Sequence, residues 1–506
     1  MPHNDLTPDG HSLPEVASNI KLLQRDIASV MQQVEMQGHI QLEIAKLLQA
    51  LHSSQQSIPE QIIQGVDACL QTRESDKLLV TKDVVGQLDG RLSHLMIGMH
   101  TLKQVANMTL REVGPAQQVI RVVFIVQSIA MWDALIGVYQ AMVDDERFHP
   151  MVVSINHSQL GRGEFTGEVG VHEGLDRQGI PHLRMNVAPY DDLDILRSLQ
   201  PDVVFRQQQW DVPVPAGLRT TEITFARICV VPYGMGVLAN PDAKNEEQEA
   251  YEANYDQTYH RMAWRVFCET ERTQSYYRSF QHSDPEKFIL SGYPKLDRLL
   301  EERGQGEWPL AEPGGRSFRV VWAPHHSLAV NGAGFGVFHE IYTQMLEWAR
   351  SSADIQFVFK PHPALDYSAP RSGVLTQQSY EAFQRSWSDL PNCTICKGDY
   401  AKLFDASDLM LTDGVSFLTE YHLFRKPLIF IDSGVHAPFN ALGRLAERAA
   451  HRVHTFEQMK QAALEYKQGK TWPLEAEREE LLNVLLPSPV PATRIILDSI
   501  FNGIHT

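Results

Sequence analysis

The chain has 506 residues, five of them cysteines, and a formal net charge of −17 at pH 7. This charge argues against a nucleic-acid-binding protein, which needs a basic face, and against docking on anionic lipid through a basic patch. The few cysteines do not make a disulfide framework, and the sequence shows neither a secretion signal nor an apolar run long enough to cross a membrane. We therefore expect a cytoplasmic protein of two or three domains, with the inner face of the membrane as an alternative location.

The first 115 residues carry two apolar stripes. Apolar residues recur at steps of three and four from Ile20 to Leu51, and again from Val85 to Leu102. Two interpretations stay open: amphipathic helices packed on a catalytic body, or a coiled coil that joins copies of the chain. We predict the second, a helical coiled-coil and oligomerisation region over residues 1–115, because the segment has few aromatic residues to bury otherwise.

Strands and helices alternate over residues 116–300. Apolar runs typical of buried strands include Val119–Val126, Met151–Ile155 and Arg227–Val231, and helical patterns separate them. Such alternation predicts a doubly wound, mostly parallel sheet, whose ligands bind beyond the carboxyl ends of the strands.

A second alternation occupies residues 301–506. Its first part, Gly304–Arg316, has the Gly, Pro and charge content of a linker, and the segment ends in an amphipathic helix at Ala492–Ile504. The predicted fold class is therefore α/β, with two doubly wound Rossmann-like lobes that face a cleft, preceded by the N-terminal helical region. The two predicted lobes are residues 116–300 and residues 301–506.

Residues Ser407–Gly434 predict a single βαβ unit. An apolar run ends at Thr412, a helical pattern opens at Ser416, and a second apolar run begins at Leu428. The turn between the first strand and the helix offers unpaired backbone N–H groups at the positive end of a helix dipole, which suits a phosphate. The alternative is an ordinary N-cap, in which Ser416 satisfies its own helix.

Three polar turns directly follow strands of the second lobe: Pro324–Ser327, Lys360–Pro363 and Asp413–Ser416. Because carboxyl ends of parallel strands share one edge of a sheet, we expect the turns to converge on one ligand. Lys360 supplies a fixed positive charge, and histidines of the first two turns can donate hydrogen bonds to phosphate oxygens. The pattern predicts stabilisation of a phosphate leaving group without a metal.

Four segments resemble the CDP-glycerol glycerophosphotransferase family, whose members build teichoic-acid-like and capsular polymers. They are GYPKLD at 292–297, WAPHHS at 322–327, FKPHP at 359–363 and LTDGVSFLTEYHLFRKPLIFI at 411–431. The resemblance covers about residues 118–500. It implies a GT-B fold, a nucleotide-activated donor in the C-terminal lobe, and inverting transfer that needs no metal or other cofactor.

The chain departs from the family pattern in two loops. The family's first-lobe loop presents Trp-His-Gly, whose His is thought to act as the base towards the acceptor hydroxyl, and this chain has Pro232-Tyr233-Gly234 there. Gly414 and Val415 replace a Tyr and a Ser of the donor loop. A sugar donor is therefore an alternative to glycerol phosphate, and a first-lobe carboxylate is expected to serve as the base.

The predicted site has three groups of residues and no metal ligand. The catalytic group is Asp133, His326 and His362, with Asp211 as the other candidate base. The donor-binding group is His325, Ser327, Lys360, Asp413, Gly414, Val415, Ser416 and Glu420. The acceptor-side group is Arg206, Asp211 and Tyr233.

We predict a transferase that moves a glycosyl or polyol-phosphate group from a nucleotide-linked donor to a cell-surface glycan such as capsule, O-antigen or a teichoic-acid-like polymer. Its expected partners are that donor, the glycan and further copies of the chain, and not a nucleic acid. Two alternatives stay open. One is an enzyme like the UDP-sugar 2-epimerases, which use the same two-lobed fold, and the other is a coiled-coil scaffold with a decayed nucleotide-binding lobe.

Overall fold

The computed structural model describes residues 119–158, 165–186, 189–208, 210–280, 282–312, 314–328 and 333–505. The predicted coiled-coil region, residues 1–115, lies outside the described residues. Among the described helices, none has both the length and the apolar character that crossing a membrane requires.

The chain divides into two compact units. The first comprises, among the described residues, 119–127, Met151–Val203 and Val212–Ala226; the second comprises Ser128–Pro150, Val204–Asp211 and Arg227–Thr506. The predicted domain limits at residues 115 and 300 stay predictions.

Thirteen strands of the described residues form two sheets. Strands β1 to β7 are Ile120–Val126, Phe148–Ile155, His182–Met185, Val203–Arg206, Arg227–Val230, Arg265–Cys268 and Phe288–Leu290. Strands β8 to β13 are Phe318–Ala323, Ile355–Phe359, Cys393–Ile395, Leu409–Thr412, Leu428–Ile431 and His451–Val453. The strand orders are β3-β2-β1-β4-β5-β6-β7 and β10-β9-β8-β11-β12-β13.

Helices separate the strands as predicted. Helices α1 to α17 are Ile129–Trp132, Ile136–Val143, Glu168–Arg177, Pro189–Ser198, Glu252–Tyr255, Thr258–Met262, Glu271–Arg278, Pro294–Glu301, Phe338–Ser351, Leu365–Arg371, Gln377–Ser388, Ala401–Ala406, Phe417–Glu420, Ala441–Arg448, Phe456–Lys467, Glu475–Leu485 and Ala492–His505. Short 3₁₀ turns occur at Ala216–Leu218, Glu246–Gln248, Pro285–Lys287 and Tyr421–Phe424.

In each sheet the first strand along the chain, β1 or β8, lies in the interior, and later strands are added on both sides of it. Rossmann-type sheets are built in the same way. In the second sheet the direction changes between β8 and β11, and every recorded pairing of its neighbouring strands is parallel. This change of direction is the place where such sheets bind their ligands. The prediction of two Rossmann-like α/β sheets is confirmed.

In the first unit, Glu168 fastens helix α3 to two strands. Its buried carboxylate accepts hydrogen bonds from Ser154 Oγ at 2.7 Å, Arg184 Nη2 at 2.6 Å and Asn186 Nδ2 at 2.8 Å. These bonds, together with the ion pair to Arg184, keep the pKa of Glu168 below its usual range despite burial. The contact compensates for placing a carboxylate inside the unit.

In the second unit, Trp322 of β8 lies at the centre of an aromatic core. The side chain is 1% exposed, and its ring centroid lies 5.6 Å from that of Phe338, 5.0 Å from that of Phe359 and 5.4 Å from that of Trp387. Strands this apolar on both faces are typical of parallel sheets covered by helices. The core fixes β8 and β9, which end at the polar turns.

We expect Trp322→Ala to destabilise the second unit by about 3–5 kcal/mol, because it leaves a cavity among the three aromatic rings named above. Urea unfolding followed by far-ultraviolet circular dichroism measures the loss. Trp322→Phe, which keeps part of the ring, should lose clearly less. Equal losses for the two variants would show that ring packing does not stabilise this core.

Candidate active site

The carboxyl ends of β8, β9 and β11 lie side by side. In the sheet, Trp322 of β8 pairs with Phe359 of β9, and Ala323 of β8 pairs with Thr412 of β11. The three polar turns that follow these strands therefore leave the sheet at the same edge, where parallel-sheet proteins bind ligands.

Asp413 holds the turn after β8 in position. Its Oδ1 accepts the backbone N–H of His325 at 2.5 Å, and its Oδ2 accepts that of Val337 at 2.7 Å. The side chain is 2% exposed, and this burial raises the pKa of its carboxyl to about 7 although the two N–H donors favour the charged form. Asp413 was predicted to bind the donor, and in the structure its oxygens face the backbone of two neighbouring turns.

Three imidazoles lie in contact at this edge. The ring centroid of His326 lies 4.4 Å from that of His325 and 4.2 Å from that of His362. The centroids of His325 and His362 are 5.4 Å apart. Burial lowers the pKa of all three, to about 2 for His325 and about 3 for His362, and their proximity lowers these two further. The three rings are therefore neutral at pH 7.

Backbone N–H groups select the tautomer of two of these rings. The N–H of Ser327 donates to Nδ1 of His325 at 3.2 Å, and the N–H of Ala364 donates to Nδ1 of His362 at 3.1 Å. A neutral imidazole whose Nδ1 accepts a hydrogen bond carries its proton on Nε2. His325 and His362 are thus neutral hydrogen-bond donors through Nε2.

The same geometry bears on metal binding. One nitrogen from each of the three rings lies within 4.8 Å of the others, which is near the spacing of a metal site. A histidine that binds a metal usually gives its other ring N–H to an acceptor, whereas here two Nδ1 atoms receive N–H groups. The arrangement fits donation to an anion better than coordination of a cation.

A cavity of about 700 Å³ opens in front of the imidazoles, within the second unit. The loops after β8, β9 and β11 contribute His325, His326, Ser327, His362, Val415 and Ser416. The segments after β4, β5 and β6, with helix α5, contribute Trp210, Pro232, Tyr233, Gly234, Tyr255 and Glu269. The volume is sufficient for a nucleotide-sized ligand.

Arg371 at the end of α10 also lines the cavity, and sequence reasoning missed it. Its guanidinium carbon lies 3.7 Å from the ring centroid of Tyr367, and its Nη1 donates to the carbonyl of the same residue at 3.3 Å. Among the described lining residues, Arg371 carries the permanent positive charge. The signal was available, since Arg371 follows the FKPHP segment by eight residues and guanidinium groups bind phosphate well.

The turn after β11 differs in part from its predicted form. The N–H of Gly414 donates to Thr412 Oγ1 at 2.9 Å, so this N–H is paired within the turn. Ser416 is exposed at the cavity and its side chain makes no capping bond, while α13 spans only Phe417–Glu420. This turn presents Val415 and the Ser416 hydroxyl to the cavity. The helix that follows is too short to contribute a large dipole.

Lys360 and Glu420 lie in a buried charge cluster beside the cavity, outside its lining. Lys295 Nζ is 3.1 Å from Glu420 Oε1, and Tyr400 Oη donates to Glu420 Oε2 at 2.5 Å. Lys360 Nζ lies 5.4 Å from the ring centroid of Tyr400, and burial lowers the pKa of Lys360. Lys360 also helps to lower the pKa of His362, so its charge reaches the imidazoles electrostatically.

Asp133, predicted as a catalytic residue, belongs to the same cluster. Its Oδ1 lies 3.3 Å from Arg298 Nη2. Burial raises the pKa of Asp133, although Lys295 and Arg298 oppose that rise. The structure thus brings Asp133 next to Lys360 and not to the lining of the cavity.

The acceptor-side residues separate in the structure. Tyr233 lines the cavity, with its ring centroid 6.1 Å from that of Trp210. Arg206 is 2% exposed, pairs with Asp211 at 2.5 Å, and stacks on the ring of Tyr259 at 4.2 Å. Of the three predicted residues, Tyr233 alone is among the residues that line this cavity.

Glu269 was also missed by sequence reasoning. It directly follows β6, lines the cavity, and is 2% exposed. Glu269 lies between the end of β6 and Thr270, the N-cap of α7. The three polar turns also follow strand ends directly, so the same signal pointed to Glu269. Because the first sheet contains no family motif at that strand end, the residue did not stand out.

Comparison with known families identifies the segment that carries these turns. Residues 234–435 match the family model described as CDP-glycerol:poly(glycerophosphate) glycerophosphotransferase. The match confirms the predicted family resemblance and, with it, the prediction of a transferase. No curated protein sequence matches the chain.

Solved structures match at the level of the fold. The UDP-GlcNAc 2-epimerase from Neisseria meningitidis, bound to UDP-GlcNAc, has a TM-score of 0.51 at 15% identity and covers 76% of this chain and 100% of its own. The S. aureus MnaA–UDP structure has a TM-score of 0.51 at 13% identity and covers 76% of this chain and 97% of its own. The wall teichoic acid polymerase TagF, in a variant form soaked with CDPG, has a TM-score of 0.48 at 14% identity and covers 83% of this chain and 98% of its own.

We expect Asp413→Ala to lower the free energy of unfolding by about 2–5 kcal/mol, because it leaves two buried N–H groups without their acceptor. Urea unfolding measures the change, with the exposed Asp389→Ala as the matched control. A loss no greater than that of the control would contradict the positioning role of Asp413.

The free energy of unfolding should also decrease as the pH falls below about 6.5, because the fold keeps the imidazoles neutral. The pKa of His362 is about 3 in the fold and about 6.5 in an unfolded chain, so the unfolded state takes up the proton first as pH falls through 6.5. His362→Asn keeps an acceptor for the Ala364 N–H and removes this titration. The variant should lose roughly 2 kcal/mol less stability between pH 7.5 and 5 than the wild type does.

Thermal or urea unfolding at the two pH values measures that difference. The exposed His505→Asn serves as the control and should keep the wild-type pH dependence. An unchanged pH dependence in His362→Asn would mean that the His362 ring is not held neutral by the fold.

Proposed function

We propose that the chain is an inverting transferase that moves a glycosyl or polyol-phosphate group from a nucleotide-activated donor to a hydroxyl of a cell-surface glycan. The observation that carries the proposal is the pair of neutral imidazoles with Nε2–H donors at the edge of a 700 Å³ cavity. The family match over residues 234–435 supports a transferase built on the same turns.

The donor phosphates would lie against the β8, β9 and β11 turns. As the donor bond breaks, negative charge grows on the leaving phosphate oxygen, and fixed donors aimed at that charge lower the barrier. Nε2–H of His325 and of His362, the Ser416 hydroxyl and the Arg371 guanidinium supply such donors along one wall of the cavity. Neutral imidazoles keep their protons throughout, so no proton transfer is needed to stabilise the leaving group.

We further propose that this transfer needs no metal. In many phosphate-transfer sites a divalent cation neutralises the leaving group. Here Arg371 and the nearby charge of Lys360 supply positive potential, and two ring Nδ1 atoms accept N–H groups in a way that disfavours coordination. Lys360 would act on the imidazoles through its charge without touching the donor.

The acceptor would bind at the part of the cavity wall that the segments after β4 and β5 form. Trp210 and Tyr233 present aromatic rings there, 6.1 Å apart between centroids. Aromatic faces pack well against the C–H faces of sugars and polyols, while a few polar groups orient the hydroxyls.

The homo-oligomer expected from residues 1–115 remains a prediction from the sequence.

A thermal-shift panel tests this proposal. CDP, CMP, UDP and GDP are each added with and without EDTA, and one base class should raise the melting temperature in a concentration-dependent way that EDTA does not alter. Arg371→Ala and His362→Ala should each weaken that nucleotide about 10–100-fold, the cost of a lost hydrogen bond to a charged group. The exposed Arg385→Ala is the matched control for Arg371→Ala.

Three outcomes would contradict the proposal. If no nucleotide stabilises the protein, the nucleotide-donor function is wrong. Binding that disappears in EDTA would overturn metal independence. Interconversion of two UDP-sugars without an acceptor would instead identify an epimerase, the activity named for the Neisseria meningitidis structure.

A further inference from the structure

The proposed transfer needs a base, and most of the carboxylates near the cavity are already engaged. Asp133 pairs with Arg298, and Asp211 pairs with Arg206. Glu420 and Asp413 are likewise committed to buried partners, described above. Among the described lining residues, Glu269 is the carboxylate.

The two carboxylate oxygens of Glu269 differ in their hydrogen bonds. Oε1 accepts the backbone N–H of Gly236 at 3.4 Å, and the Thr273 hydroxyl and the residue's own N–H also interact with the carboxylate. Oε2 is buried and has no hydrogen-bond partner in the described structure. A buried carboxylate oxygen without a partner is costly, and such groups call for a functional explanation. Because the residue borders the cavity, a small rotation of its side chain would bring this oxygen to a ligand hydroxyl that supplies the missing hydrogen bond.

The backbone at Gly236 packs closely against Tyr255 and lies next to this carboxylate. A Cβ added at Gly236 would lie 2.9 Å from Tyr255 Oη and 3.9 Å from Glu269 Oε1. Gly236 follows β5 by a few residues, in the loop that contains Tyr233. The loop at the acceptor wall is therefore packed directly against the carboxylate of Glu269.

We propose that Glu269 is the general base that takes the proton of the acceptor hydroxyl. This assignment rests on the transferase function proposed above. It replaces the carboxylates predicted from the sequence, Asp133 and Asp211, because the structure places neither of them in the cavity lining.

The transfer balances as follows. The acceptor O–H proton moves to Oε2 of Glu269, and the acceptor oxygen forms a bond to the electrophilic centre of the donor, an anomeric carbon or a phosphorus. The bond from that centre to the leaving phosphate oxygen breaks, and its electron pair stays on that oxygen, facing the imidazole wall. Glu269 then releases the proton to solvent as the products leave.

The surroundings of Glu269 tune it for this task. Burial raises the pKa of its carboxyl to about 7, although the Gly236 N–H and the Thr273 hydroxyl oppose the rise. The titratable groups that interact with it are the side chains of Tyr255, Cys268, Tyr277 and Tyr293, and burial raises the pKa of each one. All four are therefore neutral at pH 7, and the interactions that keep Glu269 charged come from hydrogen-bond donors of neutral groups. A base with a pKa near the working pH is the most effective one.

The test measures nucleotide release with two donor probes, CDP-glycerol and UDP-GlcNAc, and with glycerol as the hydroxyl probe. Glu269→Gln keeps the size and the Gly236 contact but cannot accept the proton. We expect it to lower glycerol-dependent release about 100-fold or more, the usual share of a general base, while nucleotide affinity stays within about twofold. Glu271→Gln, an exposed carboxylate two residues along the chain, is the matched control and should keep wild-type release.

The pH profile separates a catalytic role from a structural one. For the wild type, release should fall below about pH 7 as Glu269 takes up a proton, and Glu269→Gln should lose that dependence. Glu269→Asp, which retains a carboxylate one methylene further away, should recover part of the rate and keep an acid limb. A folding defect would instead lower release and nucleotide affinity together at every pH.

Two results would overturn the assignment. Release by Glu269→Gln within threefold of the wild type, or an unchanged acid limb in that variant, would exclude Glu269 as the base and leave the transferase function standing. If the wild type binds no nucleotide and releases none from either donor, the proposed function itself fails, and the assignment fails with it.

Discussion

The bond network of Asp413 is the constraint on which the site depends. One buried carboxylate receives the backbone N–H groups of His325 and Val337, so it ties the end of β11 to the turn after β8 and to the start of α9. This fixes the path of the β8 turn, and the N–H groups of Ser327 and Ala364 then orient two imidazoles through their Nδ1 atoms. Donors for an anion are thus fixed before any ligand binds, which is what electrostatic stabilisation of a leaving group requires.

Much of the fold follows from apolar runs and turns in the sequence. The strand predicted at Arg227–Val231 lies at Arg227–Val230 in the structure, and the unit around Ser407–Gly434 contains two adjacent parallel strands as predicted. Both results rest on local signals, namely continuous apolar residues bounded by Gly, Pro and Asp. The convergence of the three turns followed from one general property of parallel sheets, the shared edge of their carboxyl ends.

The side-chain roles could not be deduced in the same way. Lys360 has the charge and position of a phosphate ligand in the sequence, yet its ammonium lies over Tyr400 in a buried cluster. Arg371 and Glu269 carry no motif, and only the tertiary structure shows that both line the cavity. Sequence identifies which turns reach the edge of a sheet, whereas burial and partner geometry decide which side chains face the ligand.

The most direct test is ¹⁵N–¹H NMR of the protein labelled at histidine, with His325→Gln and His362→Gln used to assign the signals. The structure predicts that both rings are neutral at pH 7 with the proton on Nε2, and that the bound nucleotide shifts these two Nε2–H signals. Imidazolium rings, or protons on Nδ1, would contradict the account, because the sheet edge would then lack the neutral donors on which leaving-group stabilisation depends.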